Sequence, residues 1–169
     1  CRVRIRGDVD NPGAEVARGV PQVLTNGKQP QLSPDSSGRL ELARWMSDPS
    51  HPLTARVMVN RVWHHLFGSG IVRTVDNFGE SGERPSHPQL LDHLAVRFTE
   101  EMDWSVKKLI RAVMLSHAYR LASEHRESNY AVDPDNTLFW RANVRRLEAE
   151  ALRDSMMLVA GTLKLEPAQ

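Results

Sequence analysis

The longest helical pattern in the chain is Leu53–Gly70, which reads LTARVMVNRVWHHLFGSG. At about 100° per residue, one face of this helix is apolar and is formed by Ala55, Met58, Val59, Val62, Trp63, Leu66 and Phe67. The opposite face carries Asn60, Arg61, His64 and His65. Thr54 is placed to cap the first turn, and Gly68 and Gly70 are placed to end the helix. The pattern predicts a central helix with a packed side and a polar side.

The composition is that of an ordinary soluble globular chain, with 40% hydrophobic and 25% charged residues. Its 169 residues suit one domain, and 22 basic against 21 acidic residues leave a net charge of +1. Such a balance provides no field for nucleic acid, so no nucleic-acid partner is expected. No apolar run approaches the roughly 18 residues of a membrane span. The single Cys1 excludes an internal disulfide and a cysteine-based zinc site.

The first 37 residues are predicted to form a strand followed by an extended arm. Cys1–Arg6 alternates Cys, Val and Ile with three arginines, which is the period of a half-buried strand. We expect the partner of this strand to lie upstream of the sequence. The arm carries turn signals at Asn11-Pro12-Gly13 and Asn26-Gly27, then Pro30 and Pro34. The sequence has no initiator methionine and no signal peptide, so we expect it to be a piece of a longer protein.

Residues 38–169 are predicted to form the helical domain. Beside the central helix, the predicted helices run from Ser36 or Ser37 to Asp48, from Ser86 to about Glu101, from Ser105 through His117, and over Leu147–Ala160. Their predicted inward residues are Leu40, Ala43 and Met46, then Leu90, Leu91, Leu94, Phe98 and Met102, then Val106, Leu109, Ile110, Val113 and Met114. Ala122–Asp135 is predicted as a loop and Asn136–Ala142 as a short helical turn. The predicted fold class is mainly α, an irregular helical domain of about five helices with an N-terminal strand and an extended arm.

The seven histidines do not indicate a metal site. No zinc-binding spacing occurs, and His64 and His65 are adjacent, so their rings point about 100° apart on a helix. The absence of CxxCH also predicts no covalent haem within these residues. We therefore expect neither a metal nor a cofactor bound by this chain itself.

The acidic residues of the last predicted helix, Glu148, Glu150 and Asp154, have two interpretations. With the arginines at 141, 145, 146 and 153 they could bind a substrate, or they could form ion pairs along the helix, such as Arg146–Glu150 and Glu150–Arg153. Asp154 lies at the edge of the apolar stripe of that helix. We therefore predict an Arg61–Asp154 bridge that ties the central helix to the last one.

The chain carries an ordered series of short motifs along nearly its whole length. The N-terminal part carries Arg6-Gly7-Asp8, Asn11-Pro12-Gly13-Ala14-Glu15-Val16 and Gly19-Val20-Pro21. The central part carries the run from His51 to Trp63, then His65, Phe67-Gly68, Gly70-Ile71-Val72, Asp76, Phe78-Gly79 and Pro85-Ser86-His87-Pro88. The C-terminal part carries Trp104-Ser105, Tyr119-Arg120, Asp133-Pro134, Leu138-Phe139-Trp140-Arg141, Arg145 to Glu150 and Arg153-Asp154. In this order the motifs resemble the DUF1553 family, also called the planctomycete PSD1 domain.

The resemblance indicates the kind of protein in which this domain occurs, and it does not indicate a reaction. Family members are large, exported bacterial proteins that commonly carry a DUF1549 domain and often a cytochrome c-like haem domain. The family domain continues past Gln169, so the C-terminus is expected to be truncated. The resemblance implies a periplasmic or extracellular location, other domains of the same chain as partners, and haem only in the parent protein.

Two functions follow as alternatives. The first is a structural or interaction domain beside a redox domain. The second is an enzyme, a hydrolase acting on complex carbohydrate, with its site near Asn60–His65. The candidate polar cluster for such a site is Asn60, Arg61, His65, Asp76, Glu148 and Asp154.

Overall fold

The computed structural model of the protein describes residues 2–25, 27, 29–33 and 35–165. Within this part of the chain the fold is mainly helical, as predicted. Its elements are β1 (Arg2–Arg4), β2 (Pro12–Glu15), α1 (Arg39–Met46), α2 (Thr54–Phe67), α3 (Pro88–Glu100), α4 (Val106–Met114), α5 (Glu127–Tyr130) and α6 (Ala149–Val159). The predictions that involve Cys1, Asn26, Lys28, Pro34 and residues 166–169 fall outside the described residues. No described helix has the length and apolarity needed to cross a membrane.

The core is formed by α2, α3 and α4 together with residues from the segments that follow α2, α3 and α5. On α2 the buried apolar residues are Ala55, Val59, Val62, Trp63 and Phe67, as predicted. The other helices contribute Leu91, Leu94, Ala95 and Phe98 from α3, and Leu109 and Val113 from α4. Ile71, Val72, Met102 and Phe139 complete the cluster. The apolar period of 3.6 residues thus identifies most of these faces. Three residues predicted to face inward are instead exposed, since Met58, Val106 and Met114 are 41%, 39% and 42% exposed.

Two predicted helix ends are also confirmed. Ser105 caps α4, because its side chain accepts a hydrogen bond from the Lys108 amide at 3.4 Å. Gly68 ends α2 in the left-handed conformation with φ +82°, which glycine adopts without steric cost.

The N-terminal strand finds its partner within the chain. β1 pairs antiparallel with β2, with Arg2 opposite Glu15 and Arg4 opposite Pro12. The expectation that the partner lies upstream is therefore wrong. The chain reverses between the strands, where Gly7 has φ +79° and the Asp8 side chain accepts a hydrogen bond from the amide of Asp10. Local turn chemistry therefore closes this hairpin.

The first turn of α2 is capped by His51, and not by Thr54 as predicted. The Nδ1 atom of His51 accepts hydrogen bonds from the amides of Leu53 and Thr54, at 3.3 and 3.2 Å, and lies 2.9 Å from the Thr54 hydroxyl. The Trp45 ring packs against the His51 ring, with 4.6 Å between centroids. Burial lowers the pKa of His51, and the charge of Asp48 opposes part of that shift. Nδ1 can accept these bonds only in the neutral imidazole.

This cap predicts that acid destabilises the domain. Because the folded protein favours neutral His51, the stabilisation is complete above the ordinary pKa of 6.5 and is lost as the pH falls below it. The urea midpoint should therefore fall between neutral and mildly acidic pH. His51→Asn, which keeps a cap acceptor and does not titrate, should fall less over the same range. Equal pH dependence in the two proteins would contradict the role of His51.

Four other local predictions are corrected. The N-cap of α1 is Gly38 in place of Ser36 or Ser37, and the predicted inward residues Leu40, Ala43 and Met46 are exposed. Ser86 does not cap α3, because its hydroxyl donates to the carbonyl of Ile71 at 3.2 Å. The predicted loop over residues 122–135 contains the short helix α5. Residues 136–142 contain one hydrogen-bonded turn, from the Phe139 amide to the Asn136 carbonyl, and no helix. The last helix is shorter than predicted and contains no buried residue.

Candidate functional site

Asn60 is buried, although the helical pattern assigns it to the polar face. It has 0% exposure, and its side chain forms two hydrogen bonds with the backbone of Val72. Nδ2 donates to the Val72 carbonyl at 2.9 Å, and Oδ1 accepts from the Val72 amide at 2.8 Å. The side-chain amide of Asn60 thus forms with Val72 the two hydrogen bonds that a neighbouring strand would form. Asn60 is a structural residue here and is not open to a ligand.

Gly70 makes this close approach possible. A Cβ atom at this position would lie 2.3 Å from the Val72 carbonyl oxygen and 2.9 Å from Nδ2 of Asn60. Any side chain would therefore displace the backbone that Asn60 holds. Asn60 and the Gly70-Ile71-Val72 motif form one structural unit. Its hydrogen bonds hold the segment so that Ile71 and Val72 pack in the core.

Arg61 pairs with Asp76, and the predicted Arg61–Asp154 bridge does not form. Nη2 of Arg61 lies 3.1 Å from Oδ1 of Asp76, and the two side chains are 52% and 90% exposed. Asp154 instead contacts its neighbour Arg153 at 3.3 Å. The bridge prediction was wrong because it assumed that α6 packs against α2, whereas the Asp154 side chain is half exposed on a helix without buried residues.

The exposure of the Arg61–Asp76 pair predicts a small energetic role. Arg61→Ala should lower the free energy of unfolding by no more than about 1 kcal/mol, because water and salt screen an exposed pair. The buried bridge would have given about 3–5 kcal/mol. Urea unfolding of Arg61→Ala and Asp76→Asn should give nearly equal, small shifts that shrink further at high salt. A shift of several kcal/mol would show that Arg61 has a buried partner.

His65 is exposed, and its ring lies at the surface next to His64, with 5.7 Å between centroids. Its backbone carbonyl accepts a hydrogen bond from Nη1 of Arg145 at 2.9 Å. Two residues further along, the carbonyl of Phe67 accepts a hydrogen bond from Nδ2 of Asn143, also at 2.9 Å. These two donors satisfy carbonyls that the helix leaves unpaired at its end, and Arg145 adds a favourable charge to the helix dipole.

The segment that supplies these donors, residues 133–145, is organised by two side chains whose role the sequence does not predict. Asp133 accepts hydrogen bonds from the amides of Thr137 and Leu138, at 2.9 and 2.8 Å. Asn136 donates to the Arg141 carbonyl at 2.9 Å and is itself buried. Asp and Asn side chains stabilise turns in this way, and Asp133-Pro134 was the available signal.

This segment inserts Phe139 into an aromatic cluster at the C-terminal half of α2. Its ring lies 5.5 Å from that of Trp63 and 5.6 Å from that of Phe67, both in edge-to-face geometry. Trp63 and Phe67 stack on each other at 4.1 Å. In the motif around Phe139, the aromatic ring therefore packs in the core, and the polar neighbours form hydrogen bonds with the backbone.

The candidate polar cluster is thus not brought together. Asn60 is buried, Arg61 and Asp76 form an exposed pair, and His65 is exposed. Glu148 and Asp154 are exposed on and beside α6, and among the described residues no hydrogen bond or ion pair joins either of them to α2. The helical pairs Arg146–Glu150 and Glu150–Arg153 do not form either, whereas Arg153 and Asp154 form an ion pair on α6.

In the described ranges no three His, Cys, Asp or Glu residues are grouped so that they could hold a metal ion. Two clefts lie away from the candidate polar cluster. One of about 380 Å³ lies between residues 29–31 and α1, and one of about 370 Å³ is formed by residues 86–90 at the start of α3. Neither is lined by a residue of the candidate polar cluster.

Comparison with known families identifies the family of this chain. The family model described as PSD1, protein of unknown function (DUF1553), matches residues 38–169, which is most of the chain. The resemblance identified from the motifs is thereby confirmed. Neither the curated proteins nor the solved structures gave a match.

Proposed function

Because the chain belongs to the PSD1 (DUF1553) family, whose function is unknown, we propose that it is a structural or interaction domain of a large exported bacterial protein. In this proposal it packs against other domains of the same polypeptide, a DUF1549-like domain and a cytochrome c-like domain. Any haem belongs to the cytochrome c-like neighbour, and the parent protein works in the periplasm or outside the cell.

The observation that carries the proposal is the apolar surface of α1. Leu42 and Met46 lie one turn apart and are 43% and 49% exposed, and Leu40 is also exposed. A helix of eight residues is too short to be stable without tertiary packing. Apolar side chains exposed together on such a helix indicate a surface that another domain covers.

The N-terminal hairpin supports the same interpretation. Val3 and Ile5 are 47% and 45% exposed, and Val9 in the connecting turn is also exposed. An isolated two-stranded hairpin is marginally stable in water. The compact core of α2, α3 and α4 would then serve as a rigid scaffold that presents the hairpin and α1 to the neighbouring domains.

The test is amide hydrogen exchange on the complete parent protein and on the chain of residues 1–169. Amides of α1 should exchange markedly more slowly in the parent, whereas those of α2 should exchange at similar rates in both. Leu42→Asp with Met46→Asp in the parent should remove the protection of α1. Arg39→Ala, an exposed polar change on the same helix, is the matched control. Equal exchange of α1 in the two proteins would refute the proposed docking.

A carbohydrate hydrolase with its site at Asn60–His65 stays the alternative prediction. No observation near α2 favours it, since Asn60 is engaged with Val72 and the charged groups are open to solvent. Activity against polysaccharide that is lost in Asp76→Asn, with the fold intact, would favour the enzyme over the interaction domain.

A further inference from the structure

We infer that α6 is a self-association surface, which pairs in parallel with α6 of a second copy of this chain. The inference is independent of the proposed function, because α6 and α1 are different surfaces. It begins with exposure: none of the eleven residues of α6 is buried. The large apolar side chains that are half or more exposed on and beside it are Leu147, Leu152, Met156, Leu158 and Val159.

The apolar residues of α6 form two separate stripes. Ala149, Leu152, Met156 and Val159 follow each other at spacings of three, four and three residues, which are positions a and d of a heptad. Ala151 and Leu158 lie on another side of the helix, and Leu147 precedes it. The first stripe also borders a shallow, almost wholly apolar cleft of about 420 Å³. A helix with this spacing is suited to pack against another helix along the first stripe.

The charges beside the first stripe indicate that this stripe packs against a second copy of this chain. With Ala149 at position a, Glu148 takes position g and Arg153 takes position e. In a parallel pair, g of one helix faces e of the other five residues further along, which places Glu148 against Arg153 of the second copy. By symmetry this pair forms twice. In an antiparallel pair aligned so that Ala149 faces Val159, Arg153 would instead lie opposite Arg153 of the second copy, and the two like charges would repel each other.

Both charged groups are available for this pairing. Glu148 is exposed, and Arg153 is 71% exposed with a single contact of 3.3 Å to the carboxylate of Asp154. An exposed pair between sequence neighbours contributes little, so little is lost when Arg153 turns to another carboxylate. The helix covers fewer than two heptads, so the dimer should be weak and depend strongly on concentration.

The first experiment measures the oligomeric state of the chain by sedimentation equilibrium up to millimolar concentration. Wild type should show a monomer–dimer equilibrium. Met156→Asp in the first stripe should weaken the dimer at least tenfold, whereas Leu158→Asp on the other side should leave it unchanged. Neither residue is buried, so both variants should keep the wild-type urea midpoint. A monomer at every concentration, or equal effects of the two variants, would overturn the inference.

The second experiment tests the parallel register by charge reversal. Glu148→Arg and Arg153→Glu should each weaken the dimer several-fold, because each turns two attractive contacts into repulsive ones. The double variant should restore the wild-type affinity, and so should an equimolar mixture of the two single variants. A dimer that responds to Met156→Asp and ignores all charge reversals would be antiparallel and would overturn the proposed register.

Discussion

Trp63→Ala is expected to lower the free energy of unfolding by about 3–5 kcal/mol, the usual cost of emptying a large core position. Trp63 is 5% exposed in the middle of α2. It stacks on Phe67 and meets the edge of Phe139. Its loss would therefore open a cavity between α2 and the segment of residues 133–145, which no single neighbour can fill.

Most of this effect is expected to come from the lost packing of the indole ring and not from a lost hydrogen bond. Nε1 of Trp63 is buried and has no hydrogen-bond partner within the described part of the protein. Trp63→Phe should therefore cost much less than Trp63→Ala, since it keeps an aromatic ring and removes an unpaired donor. This ordering separates lost packing from a lost polar contact.

Met58→Ala is the matched control, because Met58 lies on the same helix and is 41% exposed. Its urea midpoint should stay close to that of the wild type. The experiment is urea unfolding of the three variants followed by far-ultraviolet circular dichroism. If Trp63→Ala moved the midpoint no further than Met58→Ala, Trp63 would not be part of the core.

The main core was predictable because it depends on the spacing of apolar residues along each helix and on the glycine that ends α2. On α3 the residues Leu91, Leu94 and Phe98 lie three and four positions apart, and all three are buried. Gly68 ends α2 as its position after the last apolar residue predicted. These features need only the geometry of a single helix, which the sequence contains in full.

The site was less predictable because it depends on contacts with segments outside α2. The polar character of Asn60 assigns it to the polar face, but at about 100° per residue it lies only about 20° from Phe67, at the edge of the buried face, and the segment that follows the helix covers it. His51 precedes the helix by three residues, and a histidine cap does not appear among the common capping residues. The partner of Arg61 was wrongly predicted, because no property of α6 shows where that helix lies relative to α2.

Asn60→Ala is expected to lower the free energy of unfolding by about 2–5 kcal/mol, because it leaves two buried backbone groups of Val72 without partners. Each unsatisfied buried donor or acceptor costs about 1–3 kcal/mol. Val72 is 1% exposed, so water cannot replace the lost amide without opening the core. The effect concerns the junction between α2 and α3, since Ser86 also donates from its amide to the neighbouring carbonyl of Ile71.

Arg61→Ala is the internal comparison for Asn60→Ala, because the two residues are adjacent and only Asn60 is buried. Urea unfolding should give a shift for Asn60→Ala several times larger than for Arg61→Ala. Hydrogen exchange should add a local signature: the amide of Val72, which Asn60 protects at 2.8 Å, should exchange faster in Asn60→Ala and be unchanged in Arg61→Ala. If the two variants unfolded at the same urea concentration and the Val72 amide stayed protected, Asn60 would not hold this segment. Such a result would mean that the Asn60 side chain lies on the polar face of α2, where it could contact a ligand.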